Sequence, residues 1–188
     1  MTNGAGATKR NWKSMAVGGA LLALAATFLY LSFTEEKGPR GLHAPGSVAP
    51  NFDLRIFGGR DRFVLEKMRG KPVVLNFWAL YCPPCRREMP DLDALYREFK
   101  DRGLQIIGVN TDDPRDRTRL ARMKAFIEER KLSFPIVVDY FHAMRLYRVD
   151  RIPYTILIDR QGRVVVDFEG PRSRRFFRKH FEKLIGSN

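Results

Sequence analysis

The only two cysteines of the chain, Cys82 and Cys85, stand three positions apart at the seam between two hydrophobic periodicities. Before them, the run 72–78 (PVVLNFW) is apolar and β-rich, the pattern of a strand buried on both faces. After them, Met89, Leu92, Leu95, Tyr96 and Phe99 recur at helical spacing until Gly103 ends the pattern. A Cys-x-x-Cys motif on such a strand-to-helix junction points to an α/β domain and to redox chemistry. The first cysteine lies at a helix amino terminus, where unsatisfied N–H groups and the helix dipole stabilise a thiolate. The second sits one turn in, placed to attack a mixed disulfide. Cys82 is therefore the expected nucleophile and Cys85 the resolving thiol. Other uses of the pair fit less well. As a staple it closes too small a loop to constrain the unfolded chain. A closed zinc site takes four ligands, and His43, His142 and His180 are scattered without ligand spacing, so no metal or cofactor is expected.

Around this seam the chain reads as alternating strands and helices. Phe52, Leu54 and Ile56 alternate with charged residues, Gly58 and Gly59 mark a turn, and 63–65 follows, which predicts an N-terminal β-hairpin. Pro90 falls inside the first helix and predicts a kink. A second buried strand is predicted at 104–109. Asp113 and Pro114 predict the start of a helix carrying Leu120, Met123, Phe126 and Ile127 on its apolar side. A third strand is predicted at 134–138 and a short helix at 143–147. Strands at 155–158 and 164–168 flank Arg160-Gln161-Gly162 and predict an antiparallel hairpin. Phe177, Phe181, Leu184 and Ile185 predict a terminal helix. This order implies a mixed central β-sheet with helices on both faces.

The amino-terminal part has a different character. Residues 15–33 form an uncharged, apolar stretch of 19, close to the about 20 needed to cross a bilayer as helix. Lys9, Arg10 and Lys13 precede it and no acidic residue occurs before Glu35. By the positive-inside rule, residues 1–14 are expected in the cytoplasm, 15–33 as a transmembrane anchor, and everything beyond outside the cytoplasm. The run ends in bulky side chains without a small-x-small site, which favours an uncleaved anchor over a signal peptide. Residues 34–47 read as a Gly- and Pro-broken linker, and 48–188 as one soluble domain.

The net charge is +13, with basic residues spread along the chain and denser at 172–179. No zinc-finger spacing or aromatic RNA-binding signature accompanies them, so nucleic acid is not an expected partner. The charge suits solubility, an anionic membrane surface or acidic partners.

The residues N-F-W-A-L-Y-C-P-P-C (76–85) resemble the active-site signature of thioredoxin-like proteins, and R-I-P-Y-T (151–155) resembles their cis-proline loop. The resemblance spans roughly 48–170. It implies a thioredoxin-like fold, with Ile152 and Pro153 opposite the cysteines and pairing with substrate backbone. The A-P-N-F start, the anchor and the stretch 113–131 look most like the TlpA/ResA branch. That resemblance implies an extracytoplasmic thiol–disulfide reductase acting on disulfides of exported proteins such as apocytochrome c, recharged by a membrane thiol donor. Trp78, Tyr81, Pro83 and Pro84 are candidates for the substrate rim, with packing beneath the motif the equal alternative for Trp78. The Pro-x-x-x-Thr-x-x-Cys pattern of a peroxidase is absent. A copper-chaperone reading would recruit His142 beside the two thiolates, but those relatives use Cys-x-x-x-Cys.

Two departures carry chemistry. Thioredoxins keep a buried Asp where this chain has Asn76, which cannot shuttle a proton. Asp113 is the expected general base in its place, its alternative role being a helix cap. Pro83 and Pro84 remove two backbone donors from the vicinity of Cys82, which disfavours its thiolate, while Arg86 and Arg87 act in the opposite sense.

Overall fold

The computed structural model describes residues 43–186. The membrane-spanning expectation for 15–33 lies outside them, and among them no helix is long and apolar enough to cross a membrane.

Strand β1 (Asp53–Arg55) pairs antiparallel with β2 (Arg62–Val64), placing Leu54 opposite Phe63. A 3-10 turn follows at Leu65–Met68. The main sheet has five strands: β3 (Val73–Trp78), β4 (Gln105–Asn110), β5 (Ile136–Val138), β6 (Tyr154–Ile158) and β7 (Val164–Glu169). Their order across the sheet is β5-β4-β3-β6-β7. β3 runs parallel to β4 and antiparallel to β6, so the sheet is mixed. The helices are α1 (Pro83–Phe99), α2 (Arg119–Arg130), α3 (His142–Leu146) and α4 (Arg174–Gly186).

All six residues of β3 are buried, as its unbroken apolar run requires. Strand alternation divides them between two cores. Val74 and Trp78 join Cys85, Met89 and Leu92 of α1, Met123 and Phe126 of α2, and Phe177 and Phe181 of α4. Val73, Leu75 and Phe77 join Leu54, Phe63, Ala143 of α3 and Tyr147 just after it on the other face. Asn76 shares the α1 side by the same alternation, which puts an amide beneath the first turns of that helix.

The sheet's close contact with α2 depends on one missing side chain. A Cβ at Gly108 would lie 3.1 Å from both Trp78 Nε1 and Phe134 Cε2. Glycine there leaves room for the indole, which packs tilted by 34° against Phe126 with ring centroids 5.5 Å apart.

Several boundaries differ from expectation for local reasons. The helix predicted from Asp113-Pro114 starts at Arg119. Asp113 Oδ1 accepts from Arg115 N at 2.9 Å and Asp116 Oδ1 from Thr118 N at 2.9 Å. These side chains satisfy the backbone in successive turns and postpone the helix. Leu120, expected on the apolar side, is exposed. The linker expected up to Ser47 is already docked at His43. Gly46 N donates to Val164 O at 2.7 Å, and His43 Nδ1 lies 2.7 Å from Asp167 Oδ2. Tyr154 donates to the same carboxylate oxygen at 2.6 Å.

Candidate active site

Because Pro83 and Pro84 occupy the first turn of α1, the helix begins with two residues that have no N–H to satisfy. Cys82 is the N-cap, and the nearest remaining donor, Cys85 N, lies 3.2 Å from Cys82 Sγ. Cys82 and Cys85 are joined as a disulfide, with Cα atoms 5.3 Å apart. Cys82 is 6% exposed and Cys85 fully buried, so an incoming group can reach only the first sulfur. That asymmetry is the one an attacking Cys82 and a resolving Cys85 require.

The loop opposite contains a cis peptide bond between Ile152 and Pro153. Ile152 O lies 3.7 Å from Cys82 Sγ. The disulfide sulfur has no proton to donate, so this carbonyl can accept only from the reduced thiol. The loop is held from behind by Gly170 N, which donates to Pro153 O at 2.8 Å. Tyr81 (69% exposed) and Pro83 face solvent, whereas Pro84 is half-buried. Trp78 is fully buried against Phe126. It supports the motif from below and is not part of the rim, a correction to its expected substrate contact.

Asp113 also departs from expectation. It sits at the surface, with its carboxylate bonded to Arg115 Nε and Nη2 at 3.0 and 2.7 Å. Those hydrogen bonds hold its acidity at about 2, well below the usual carboxylate range. A group ionised so readily has little tendency to take a proton near neutral pH. Asp113→Asn is expected to leave the pH profile of disulfide reduction unchanged; a lost inflection in steady-state assays would restore it as the base.

Two acids that the sequence reading passed over are better placed. Glu88 is 4% exposed on α1, three residues beyond Cys85 and so on a neighbouring part of the helix surface. Asn76 Nδ2 donates to its Oε1 at 2.9 Å and to Thr155 Oγ1 at 3.1 Å. Arg172 N donates to Oε2 at 3.3 Å. Burial pushes the carboxyl up to about 7, partly opposed by the Asn76 and Arg172 hydrogen bonds. The amide that replaces the thioredoxin acid thus holds a carboxyl in place. Glu88 was legible in principle, as a charged residue between Cys85 and Met89 on the buried stripe.

Asp112, 4% exposed, accepts the Leu80 N–H with both carboxylate oxygens, at 3.0 and 3.1 Å. Asn110 Nδ2 donates to Oδ2 at 2.8 Å. This fastens the end of β4 to the loop that leads into Cys82. Tyr81, next along, has its phenol pKa raised by burial and by the Asp112 charge. Asp112→Ala leaves the Leu80 donor unpaired and is expected to cost on the order of 2 kcal/mol in denaturant unfolding. An unchanged unfolding midpoint would mean that the loop is held without it.

A Cys-x-x-Cys disulfide that caps the first helix and faces a cis-proline loop across the edge of this mixed sheet is the arrangement of a thioredoxin-like thiol–disulfide oxidoreductase. Comparison with known proteins agrees. The family model described as AhpC/TSA family matches residues 45–166, and the chain belongs to that family. It is 35% identical to thiol-disulfide oxidoreductase ResA of Halalkalibacterium halodurans over 94% of this chain and 96% of that one. ResA of Geobacillus thermodenitrificans is also 35% identical, over 87% and 90% respectively. Among solved structures, a thiol:disulfide interchange protein DsbE from Chlorobium tepidum superposes with a TM-score of 0.67 at 28% identity, covering 76% of this chain and 99% of that one. StoA from Bacillus subtilis gives a TM-score of 0.60 at 25% identity, over 71% and 97%.

Proposed function

We propose that this protein is a membrane-anchored dithiol reductase of exported proteins, working outside the cytoplasm. The buried Cys82–Cys85 disulfide beneath the Ile152–Pro153 loop carries the reading, because it gives one sulfur to substrate and hides the other. In the reduced state, the Cys82 thiolate attacks a substrate disulfide, forms a mixed disulfide and expels one substrate thiolate. Cys85 passes its proton to the Glu88 carboxylate and attacks Cys82 Sγ. The second substrate thiolate leaves, the Cys82–Cys85 disulfide re-forms, and two electrons have moved to the substrate. Protons from Glu88 and solvent complete the two substrate thiols. An upstream membrane dithiol then restores the pair. Ile152 and Pro153 pair with substrate backbone, and Tyr81, Pro83 and Pro84 form the surface beside it.

The motif supports this direction of transfer. With no N–H on Pro83 or Pro84, Cys85 N is the motif donor left for the Cys82 sulfur. A less stabilised thiolate makes the dithiol the weaker acid and the better reductant. Exported disulfide proteins, apocytochrome c among them by the TlpA/ResA resemblance, suit the amino-terminal charge pattern. Ultraviolet titration of the reduced protein tests the direction. A Cys82 pKa within about a unit of an ordinary thiol supports it, and one below about 5 refutes it.

A further inference from the structure

Three chain segments meet around Cys82. The start of α1 touches the cis-proline loop through Cys82 Sγ and Ile152 O, 3.7 Å apart. That loop touches the β7–α4 connection through Gly170 N and Pro153 O, 2.8 Å apart, and the connection returns to α1 through Arg172 N and Glu88 Oε2 at 3.3 Å. Each segment brings arginine. Arg86 and Arg87 are exposed in the first turns of α1, with no ion pair to either among the described residues. Arg151 precedes Ile152 with its side chain 80% exposed, and its pair with Glu169, at 3.4 Å, is open to water. Such a pair holds weakly and exchanges readily. Arg172 lies half-buried on the connection, its guanidinium 5.5 Å from the centre of the Phe176 ring.

On the acidic side, these segments carry exposed Asp150 and Glu169, half-buried Asp91 and the buried Glu88, with buried Asp112 bonded to the loop before Cys82. Exposed Arg148, Arg174 and Arg175 add to the basic side. Positive charge is therefore in excess around the one sulfur that substrate can reach. We propose that the disulfides this protein reduces are flanked by acidic residues, received by Arg86, Arg87, Arg151 and Arg172. This deepens the reductase reading and rests on it. A protein segment fits the site better than a lipid sheet or nucleic acid, because its occupant must bring a disulfide within bond-forming reach of Cys82. A broad anionic surface lying across the same arginines would cover that sulfur.

The test uses the full chain, reduced and held in non-ionic detergent, with three synthetic peptides. Each carries one intramolecular disulfide, flanked by glutamates, by glutamines or by lysines. At low salt the glutamate peptide is expected to react about tenfold faster than the glutamine peptide, and the lysine peptide more slowly still. Salt should compress the differences as the screening length shrinks below about 10 Å. In the triple variant Arg86→Gln, Arg87→Gln, Arg151→Gln the ratio of glutamate- to glutamine-peptide rates should fall to about twofold, a ratio from which any change in Cys82 reactivity cancels. Equal rates for all three peptides, insensitive to salt, would overturn the proposal while leaving the reductase reading intact. Failure to reduce any peptide would instead strike the reductase reading itself. Should charge preference be absent while added phosphatidylglycerol slows wild type but not the variant, the arginines belong to a lipid surface and the proposal falls.

Discussion

Cys85→Ser is expected to turn the protein into a trap. The variant keeps the attacking thiol, so Cys82 still opens a substrate disulfide and forms the mixed disulfide. The buried thiol that would release it is gone. Turnover in a disulfide-reduction assay should fall by at least a thousandfold, and a covalent adduct sensitive to dithiothreitol should accumulate on Cys82. Cys82→Ser should lose turnover just as fully yet hold no adduct, because Cys85 is fully buried. The pair of variants separates the two roles. Adduct on Cys82→Ser and none on Cys85→Ser would reverse them. Isolated from the producing cell, the Cys85→Ser adduct also carries its own identification of the natural substrate, by mass spectrometry of the bound peptide.

How much of this could be read from the sequence depends on how locally each feature is determined. The 72–78 run and the 3.6-residue repeat after Cys85 fixed β3 and α1, because burial of one strand and one helix face writes directly into residue order. The terminal hairpin and α4 were legible for the same reason. The stretch after β4 was not. There Asp113 and Asp116 look like helix caps, yet each satisfies the backbone two residues on, and the helix waits until Arg119. Arg119 fills the space beneath, its Nη1 donating to Pro114 O and Asp116 O at 2.7 and 2.9 Å. The acid nearest the cysteines was hidden for a different reason. At the end of β4 Asp113 lies one position from Asp112, whose carboxylate accepts from Leu80 N. The buried acid was on α1, where the partner it needs, Asn76, is contributed by a strand 12 residues earlier. Such a pairing exists only once β3 and α1 are packed.

Glu88→Gln is the second large effect, and it separates catalysis from stability. Ordinarily such a carboxyl titrates near 4.5, and in the disulfide form burial pushes it up to about 7. Between those values the folded protein holds a proton that the unfolded chain has released. Stability is therefore lost as pH rises from about 4.5 to about 7, and the loss is complete above that range. A shift of this size corresponds to on the order of 3 kcal/mol. Glutamine keeps an acceptor for Asn76 Nδ2 but never ionises, and its amide meets the Arg172 N–H poorly, which returns about 1 kcal/mol of the gain. The oxidised variant should thus be more stable than wild type at pH 8 by about 2 kcal/mol, and no more stable at pH 4. Denaturant unfolding at both values checks the sign. Activity should move the other way. Without a carboxylate to receive the Cys85 proton, release of the mixed disulfide should slow about a hundredfold at pH 7, and the inflection near pH 7 should vanish from its pH profile. Glu88→Asp should recover part of the rate. A variant that gains stability at pH 8 but keeps the wild-type inflection would show a buried carboxyl that takes no part in proton transfer.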